Sequence, residues 1–330
     1  MMNLRATAYF AALTAMHTYA RDLATPDSWS LLIRQTDTFH QQGKLVDAER
    51  SGRMALLAAR GADSDERLPI THAVLASVYR DQGRCSESRT HYARAAALYQ
   101  KQLNPRPKYV FNAIVGLIGE ACECDDVAGA QRLFRLYAPQ LHQYRSDITD
   151  DAKMAAIQGG IDRGQKHYAA AEQEFRQAIG LLAQGADSHA GDIAELRSNI
   201  ALMVGLQGRP EHGIEEMERA IVQMEAISPR YSTLPAALNN MGNLLAQTGR
   251  LKEAGQMFQR AVSLAVDLFG EENRRTAMIM MNYAVVLRSN QQEEAAAVLQ
   301  AKAQKLYQQS MRREGVVDVK ELEAASMRPR

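Results

Sequence analysis

The sequence predicts an all-α protein, a right-handed α-solenoid of about seven helical hairpins. Two observations lead to this fold class. A pattern of small and large side chains recurs every 40 to 42 residues along most of the 330-residue chain, and a period of that length is typical of stacked supersecondary units. Within each copy, the apolar residues have the spacing of one face of an α-helix.

The repeat is clearest when its copies are aligned on the residue that opens a turn. In the best copy, Gly249 is followed five residues later by Ala254, then by Phe258 and Ala261. A seventh copy, at about residues 275–306, fits if its turn is one residue shorter, which places Ala295 and Leu299 in register. The turn residues of the other six copies are Gly43, Gly83, Asp125, Lys166, Gly208 and Gly249.

Each copy is predicted to be two amphipathic helices joined by a tight turn. Ala254, Phe258 and Ala261 lie at i, i+4 and i+7, which is one stripe of an α-helix. The preceding segment carries a second stripe that includes Leu238 and Leu245. Because one hairpin buries too little apolar surface to be stable alone, the copies are expected to stack into one array over residues 28–310.

The composition limits the function classes. The chain is 46% apolar and 23% charged, which suits a folded core, and its net charge of +1 gives no basis for expecting nucleic acid as a partner. No run of 18 apolar residues exists, so no integral membrane segment is expected. Residues 1–27 form a separate N-terminal segment, in which 1–20 is either a signal peptide or a leading helix. The protein is expected to be exported or periplasmic in the first case and cytoplasmic in the second. Residues 311–330 are expected to cap the array.

The repeats resemble the tetratricopeptide repeat, and their length and the stretch from Ala237 to Ala254 resemble its kinesin-light-chain type. The resemblance rests on small residues at the eighth position, small residues at the twentieth position and an aromatic residue at the twenty-fourth. The residues at the eighth position are Ala76, Gly159, Ala201, Gly242 and Ala284. Those at the twentieth are Ala48, Ala130, Ala171 and Ala254, with Ser88 and Gly213 as close variants, and the aromatic residues are Tyr92, Phe134, Phe175 and Phe258.

No catalytic or metal-binding motif is found in the sequence, so no enzyme activity, cofactor or metal is expected. Phosphate loops, paired metal-binding histidines and nucleophile elbows are all missing. Cys122 and Cys124 are two residues apart and project from different helix faces, which is a poor start for a four-ligand zinc site. Cys85 is expected to be a buried thiol. Three cysteines are an odd number, which does not indicate a disulfide framework.

The resemblance implies that the first helix of each hairpin lines a concave groove. Carried over to this chain, it places Asn199, Asn240 and Asn282 at the same groove position of hairpins 5, 6 and 7, with Asn239 and Asn243 beside them. A row of side-chain amides both donates and accepts, so it can bind the backbone of an extended peptide. The alternative is that these amides only tie neighbouring helices together.

Arginines at a second groove position indicate an acidic ligand. The resemblance places Arg80, Arg163 and Arg288 in the groove, where guanidinium groups can bind carboxylates. Exposed arginines that serve only as solvated surface are the alternative. The sequence therefore favours a non-catalytic scaffold that binds a peptide or partner protein in the groove. The second hypothesis is a regulatory sensor whose array changes shape on binding a peptide or small ligand.

Overall fold

A computed structural model describes residues 28–59, 66–101, 106–124, 126–185 and 189–313. Within these ranges there are fourteen α-helices and no strand, which confirms the predicted all-α solenoid of helical hairpins. In the first half of the chain they are α1 (Ser28–Gln41), α2 (Leu45–Ala58), α3 (Arg67–Asp81), α4 (Cys85–Gln100), α5 (Pro107–Glu123), α6 (Val127–Tyr144) and α7 (Ile148–Gly164). In the second half they are α8 (Tyr168–Leu182), α9 (Ala190–Leu206), α10 (Pro210–Ile227), α11 (Leu234–Gln247), α12 (Leu251–Phe269), α13 (Arg274–Ser289) and α14 (Glu293–Arg313).

Consecutive helices pair as seven hairpins, from α1–α2 to α13–α14. We call the first helix of each hairpin its A helix and the second its B helix. The B helices α2, α4, α8, α10 and α12 each pack on the A helix of the following hairpin, and neighbouring A helices also touch, as α11 does with both α9 and α13. Hairpin stacking of this kind builds a core that grows along the chain.

The turns between A and B helices share one backbone geometry. In all seven hairpins, the N–H that follows the turn residue donates to the carbonyl five residues earlier, as Arg250 does to Leu245 at 3.0 Å. This hydrogen bond is the signature of a Schellman helix end, whose turn residue has a positive φ. Such residues are Gly43, Gly83, Lys166, Gly208, Gly249 and Gln291. The predicted turn residue Asp125 lies outside the described residues.

The seventh turn corrects one prediction. Gln291 has a φ of 61°, and Gln292 donates its N–H to Leu287 at 2.9 Å, as in the other turns. The turn is therefore of full length, 42 residues after Gly249, and the expected shortening was wrong. As a result Ala296, which is fully buried, takes the core position that Ala295 was predicted to hold, while Ala295 is exposed.

Small residues and aromatic rings fit together inside the hairpins. Ala254 and Phe258 are both fully buried. A Cβ atom added at Gly242 would lie 2.7 Å from the Phe258 ring, so only glycine leaves room for that ring. Phe258 also stacks on Tyr283 of the next hairpin, with ring centroids 6.0 Å apart. The predicted register of the sixth hairpin is thus confirmed.

The described residues form two compact units. The first unit ends at Ile157 and the second runs from Gln158 to Arg313, so the boundary falls inside α7. Among the described helices, none combines the length and the apolar character needed to cross a bilayer. The predictions for residues 1–27 and for the C-terminal segment from residue 314 onward lie outside the described residues.

Candidate peptide-binding groove

The asparagine row lies on three adjacent A helices of the second unit, α9, α11 and α13. On α11 the core residues recur at helical spacing and include Leu234, Leu238, Met241 and Leu245, which leaves the asparagines on the opposite face. That face is nevertheless buried. The exposed fractions are 3% for Asn199, 5% for Asn239, 1% for Asn240, 0% for Asn243 and 4% for Asn282.

Asn239 connects α11 to α13. Its Oδ1 accepts a hydrogen bond from Asn282 Nδ2 at 2.9 Å, and its own Nδ2 donates to Asn240 Oδ1 at 3.2 Å. The sequence predicted Asn240 and Asn282 as equivalent positions of a row, whereas the contact across hairpins runs from Asn282 to Asn239. For Asn239 and Asn282, therefore, a tie between neighbouring hairpins is present.

Asn243 and Asn240 differ from that pair because their amides are not satisfied. Neither Nδ2 nor Oδ1 of Asn243 has a hydrogen-bond partner, and Nδ2 of Asn240 also lacks one. A buried polar group without a partner costs about 1–3 kcal/mol, and such groups in native structures call for a specific explanation. These three atoms of Asn240 and Asn243 can accept or donate hydrogen bonds to a ligand.

The predicted groove arginines have three different environments. Arg80 belongs to the first unit and is only 3% exposed, and its Nε donates to Asp81 Oδ1 at 3.1 Å. Arg288 is exposed and donates to Gln300 Oε1 at 2.6 Å, within its own hairpin. Arg163 is half-buried, and its Nη1 has no hydrogen-bond partner.

Arg80 is part of a buried ion cluster in the first unit, at the ends of α1 and α3. Asp81 is fully buried and accepts from His40 Nε2 at 2.8 Å and from Arg80. Burial alone would raise the pKa of Asp81, but the charges of Arg80 and His40 outweigh it and hold that pKa below its usual value. Arg80 is therefore engaged inside the fold by Asp81, and Asp81 in turn ties α3 to His40 at the end of α1.

Two histidines face each other between α3 and α4. The Nδ1 atoms of His72 and His91 are 3.1 Å apart, and the edge of the His91 ring lies against Tyr79. Burial, together with the charge of Arg94, lowers the pKa of His72 to about 4. Burial and the neighbouring His72 lower the pKa of His91 to about 3. Both imidazoles are therefore neutral at pH 7.

The cysteines correct a second prediction. Cys85 is joined to Cys124 by a disulfide, with 6.1 Å between their Cα atoms, whereas a buried thiol was expected at Cys85. The remaining cysteine, Cys122, is buried and takes no part in the disulfide. Stacking of the second and third hairpins brings the start of α4 to the end of α5, and a separation of 39 residues gives no local signal of this contact.

Comparison with protein families shows what kind of repeat this is. Two models, both described as tetratricopeptide repeat, match residues 73–106 and 233–309. These two stretches of the chain carry tetratricopeptide repeats. The second match contains α11 and α13, and with them four of the five asparagines of the row. A sequence comparison with the curated proteins finds no match.

Several solved structures have a fold similar to that of this chain. A Rap protein complexed with Competence and Sporulation Factor is 14% identical with a TM-score of 0.65, and the match covers 90% of this chain and 80% of the Rap chain. The apo form of RapI is 10% identical with a TM-score of 0.54, over 93% of this chain and 99% of RapI. A kinesin-light-chain-like repeat protein from Podosopora anserina is 13% identical over 75% of this chain and 97% of its own, with a TM-score of 0.38.

Proposed function

We propose that this protein is a non-catalytic interaction scaffold that binds an extended peptide segment of a partner protein along α9, α11 and α13. The supporting observation is the amide of Asn243, which is fully buried with neither its donor nor its acceptor bonded. Asn240, three residues earlier on α11, adds a second unbonded donor. An extended peptide offers one N–H and one C=O per residue, which is the complement that these amides lack.

Recognition through side-chain amides has a consequence for specificity. Because the amides bind the peptide backbone, they select an extended conformation rather than a particular side chain. An acidic side chain or carboxylate terminus is assigned to Arg163, whose guanidinium has an unbonded nitrogen in the same unit. Arg288 can take this role only after it releases Gln300 and Glu293, and Arg80 is held by Asp81.

A random peptide library displayed on phage provides a test. The full chain is used as bait, and recovered peptides are synthesised and titrated by calorimetry. Each neutral hydrogen bond contributes about 0.5–1.5 kcal/mol, so three lost bonds in the double variant Asn240→Leu with Asn243→Leu should weaken binding at least about tenfold. Gln259→Leu, on the exposed face of α12, is the matched control and should leave the affinity unchanged. Equal affinities of wild type and double variant would refute the proposed site.

A ligand-responsive sensor is the second candidate, and the burial of the amides is consistent with it. Asn240 and Asn243 are 1% and 0% exposed, so a ligand reaches them only when the covering groups move, by side-chain rotation in a scaffold or by separation of helices in a sensor. The similar Rap protein was solved as a complex with a factor, which fits a ligand-binding role for this fold. A sensor should change its radius of gyration in small-angle X-ray scattering when a recovered peptide saturates it. A scaffold should bind the same peptide with no such change.

A further inference from the structure

The second and third hairpins meet at a group of three side chains that can ligate a metal. They are Cys85 at the start of α4, Glu120 near the end of α5 and Cys124 just after α5. One ligand atom from each residue lies within 4.8 Å of the other two. We propose that in the reduced protein this cluster, Cys85, Glu120 and Cys124, binds one thiophilic divalent cation, with Zn²⁺ as the best match. This inference is independent of the proposed peptide site.

The donor set suits zinc. Thiolate sulfur and carboxylate oxygen are both common zinc ligands, and three protein ligands leave a fourth tetrahedral position for water. Glu120 is 1% exposed, which separates this cluster from the exposed acidic groups that often lie together without a metal. The ligands also come from two different hairpins, so the fold fixes them in place before the cation arrives.

A contact inside the cluster supports the reduced, metal-bound state. Glu120 Oε1 lies 3.2 Å from Cys124 Sγ. A sulfur in a disulfide carries no hydrogen, so it cannot donate a hydrogen bond to the carboxylate oxygen. The contact is therefore not a hydrogen bond while the disulfide is intact. In the reduced protein a thiol hydrogen fills this gap, and a cation fills it better because it neutralises both anionic groups.

The two states interconvert by a balanced redox step. A water-soluble phosphine reduces the disulfide: two electrons and two protons go to the sulfurs, water supplies the protons and its oxygen, and the phosphine becomes its oxide. Zn²⁺ then replaces the two thiol protons, which pass to the buffer. The disulfide is expected in an oxidising compartment and the metal in a reducing one.

Cobalt serves as the probe, because its tetrahedral thiolate complexes absorb in the near-ultraviolet and visible regions. The phosphine-reduced full chain should bind one Co²⁺ with a thiolate charge-transfer band, and Zn²⁺ should bleach it. Loss of a ligand in Glu120→Gln should weaken binding by roughly tenfold or more. Cys122→Ser is the matched control, since it removes a thiol outside the cluster, and it should bind like wild type.

Two further arms make every outcome decisive. Cys85→Ser removes one ligand and should give no thiolate band. Oxidised wild type is the second sample, because its fold is native while both sulfurs are joined in the disulfide. It should also give no band, and this result does not depend on whether Cys85→Ser folds. Absence of the band in reduced wild type would show that the cysteine pair is a disulfide only. A band that persists in Cys85→Ser or in the oxidised protein would place the metal elsewhere, and either result would overturn the proposal.

Discussion

We predict that replacing Asn243 by leucine, an apolar residue with the same branching, stabilises the free protein, because the amide of Asn243 has no hydrogen-bond partner. Asn243 is fully buried and makes no hydrogen bond through its side chain. Removing the amide in Asn243→Leu relieves a penalty of about 1–3 kcal/mol, reduced by any overpacking from the larger leucine. For a unit of this size each kcal/mol shifts Tm by roughly 2–4 °C, so calorimetry should record a rise of several degrees.

Asn239→Leu is the control, one helical turn earlier on the same face. Asn239 is also buried but makes two side-chain hydrogen bonds, to Asn240 and Asn282. Losing both should cost about 1–3 kcal/mol, since each is worth about 0.5–1.5 kcal/mol, so Tm should fall. If Asn243→Leu lowers Tm as much as Asn239→Leu does, the amide of Asn243 contributes to stability, and the reasoning from its missing partners is refuted.

Three other predictions concern the fold. Ala254→Leu should lower the free energy of unfolding by about 1–3 kcal/mol through overpacking against the buried core. Gln259→Leu, on the exposed face of the same helix, should change it little. Equal stability of the two variants in urea would contradict the register. Gln291→Gly should raise stability by up to about 1–2 kcal/mol, because Gln291 has a left-handed backbone that glycine adopts without strain, and a loss of stability would argue against the full-length seventh turn. His72 and His91 have folded-state pKa values of about 4 and 3, below the usual 6.5, so stability is complete above pH 6.5 and falls as the pH drops from there through 4. His91→Phe should make the dependence of Tm on pH shallower between pH 6.5 and 5, and an unchanged slope would show that the pair does not carry it.

Much of the fold could be predicted from the sequence because the determining contacts are repeated. Gly249 marks a left-handed turn, and Gly242, Ala254 and Phe258 mark the close approach of two helices, so one well-formed copy identifies the others. The seventh turn was placed wrongly because Gln291 adopts the left-handed backbone without being glycine. At that position the sequence lacks the residue type that signals the conformation.

The candidate site was less predictable, because side-chain partners depend on the distance between helices and not on the repeat period. The period aligned Asn240 with Asn282, whereas the contact is made by Asn239. Position in the repeat likewise placed Arg80 in a groove, but the adjacent Asp81 holds it in the interior. The cysteine pair joins residues 39 apart, and only the stacked hairpins bring them together.

The central claim is that the unbonded amides of Asn240 and Asn243 receive the backbone of a bound peptide. The most direct measurement is the ¹H–¹⁵N spectrum of their side-chain amides, assigned by comparison with Asn240→Leu and Asn243→Leu, during titration with a peptide recovered from the library. We predict that the Asn240 and Asn243 signals shift in proportion to peptide occupancy and that their hydrogens exchange more slowly with solvent at saturation. Asn243 signals that stay unchanged while the peptide saturates the protein would contradict the claim.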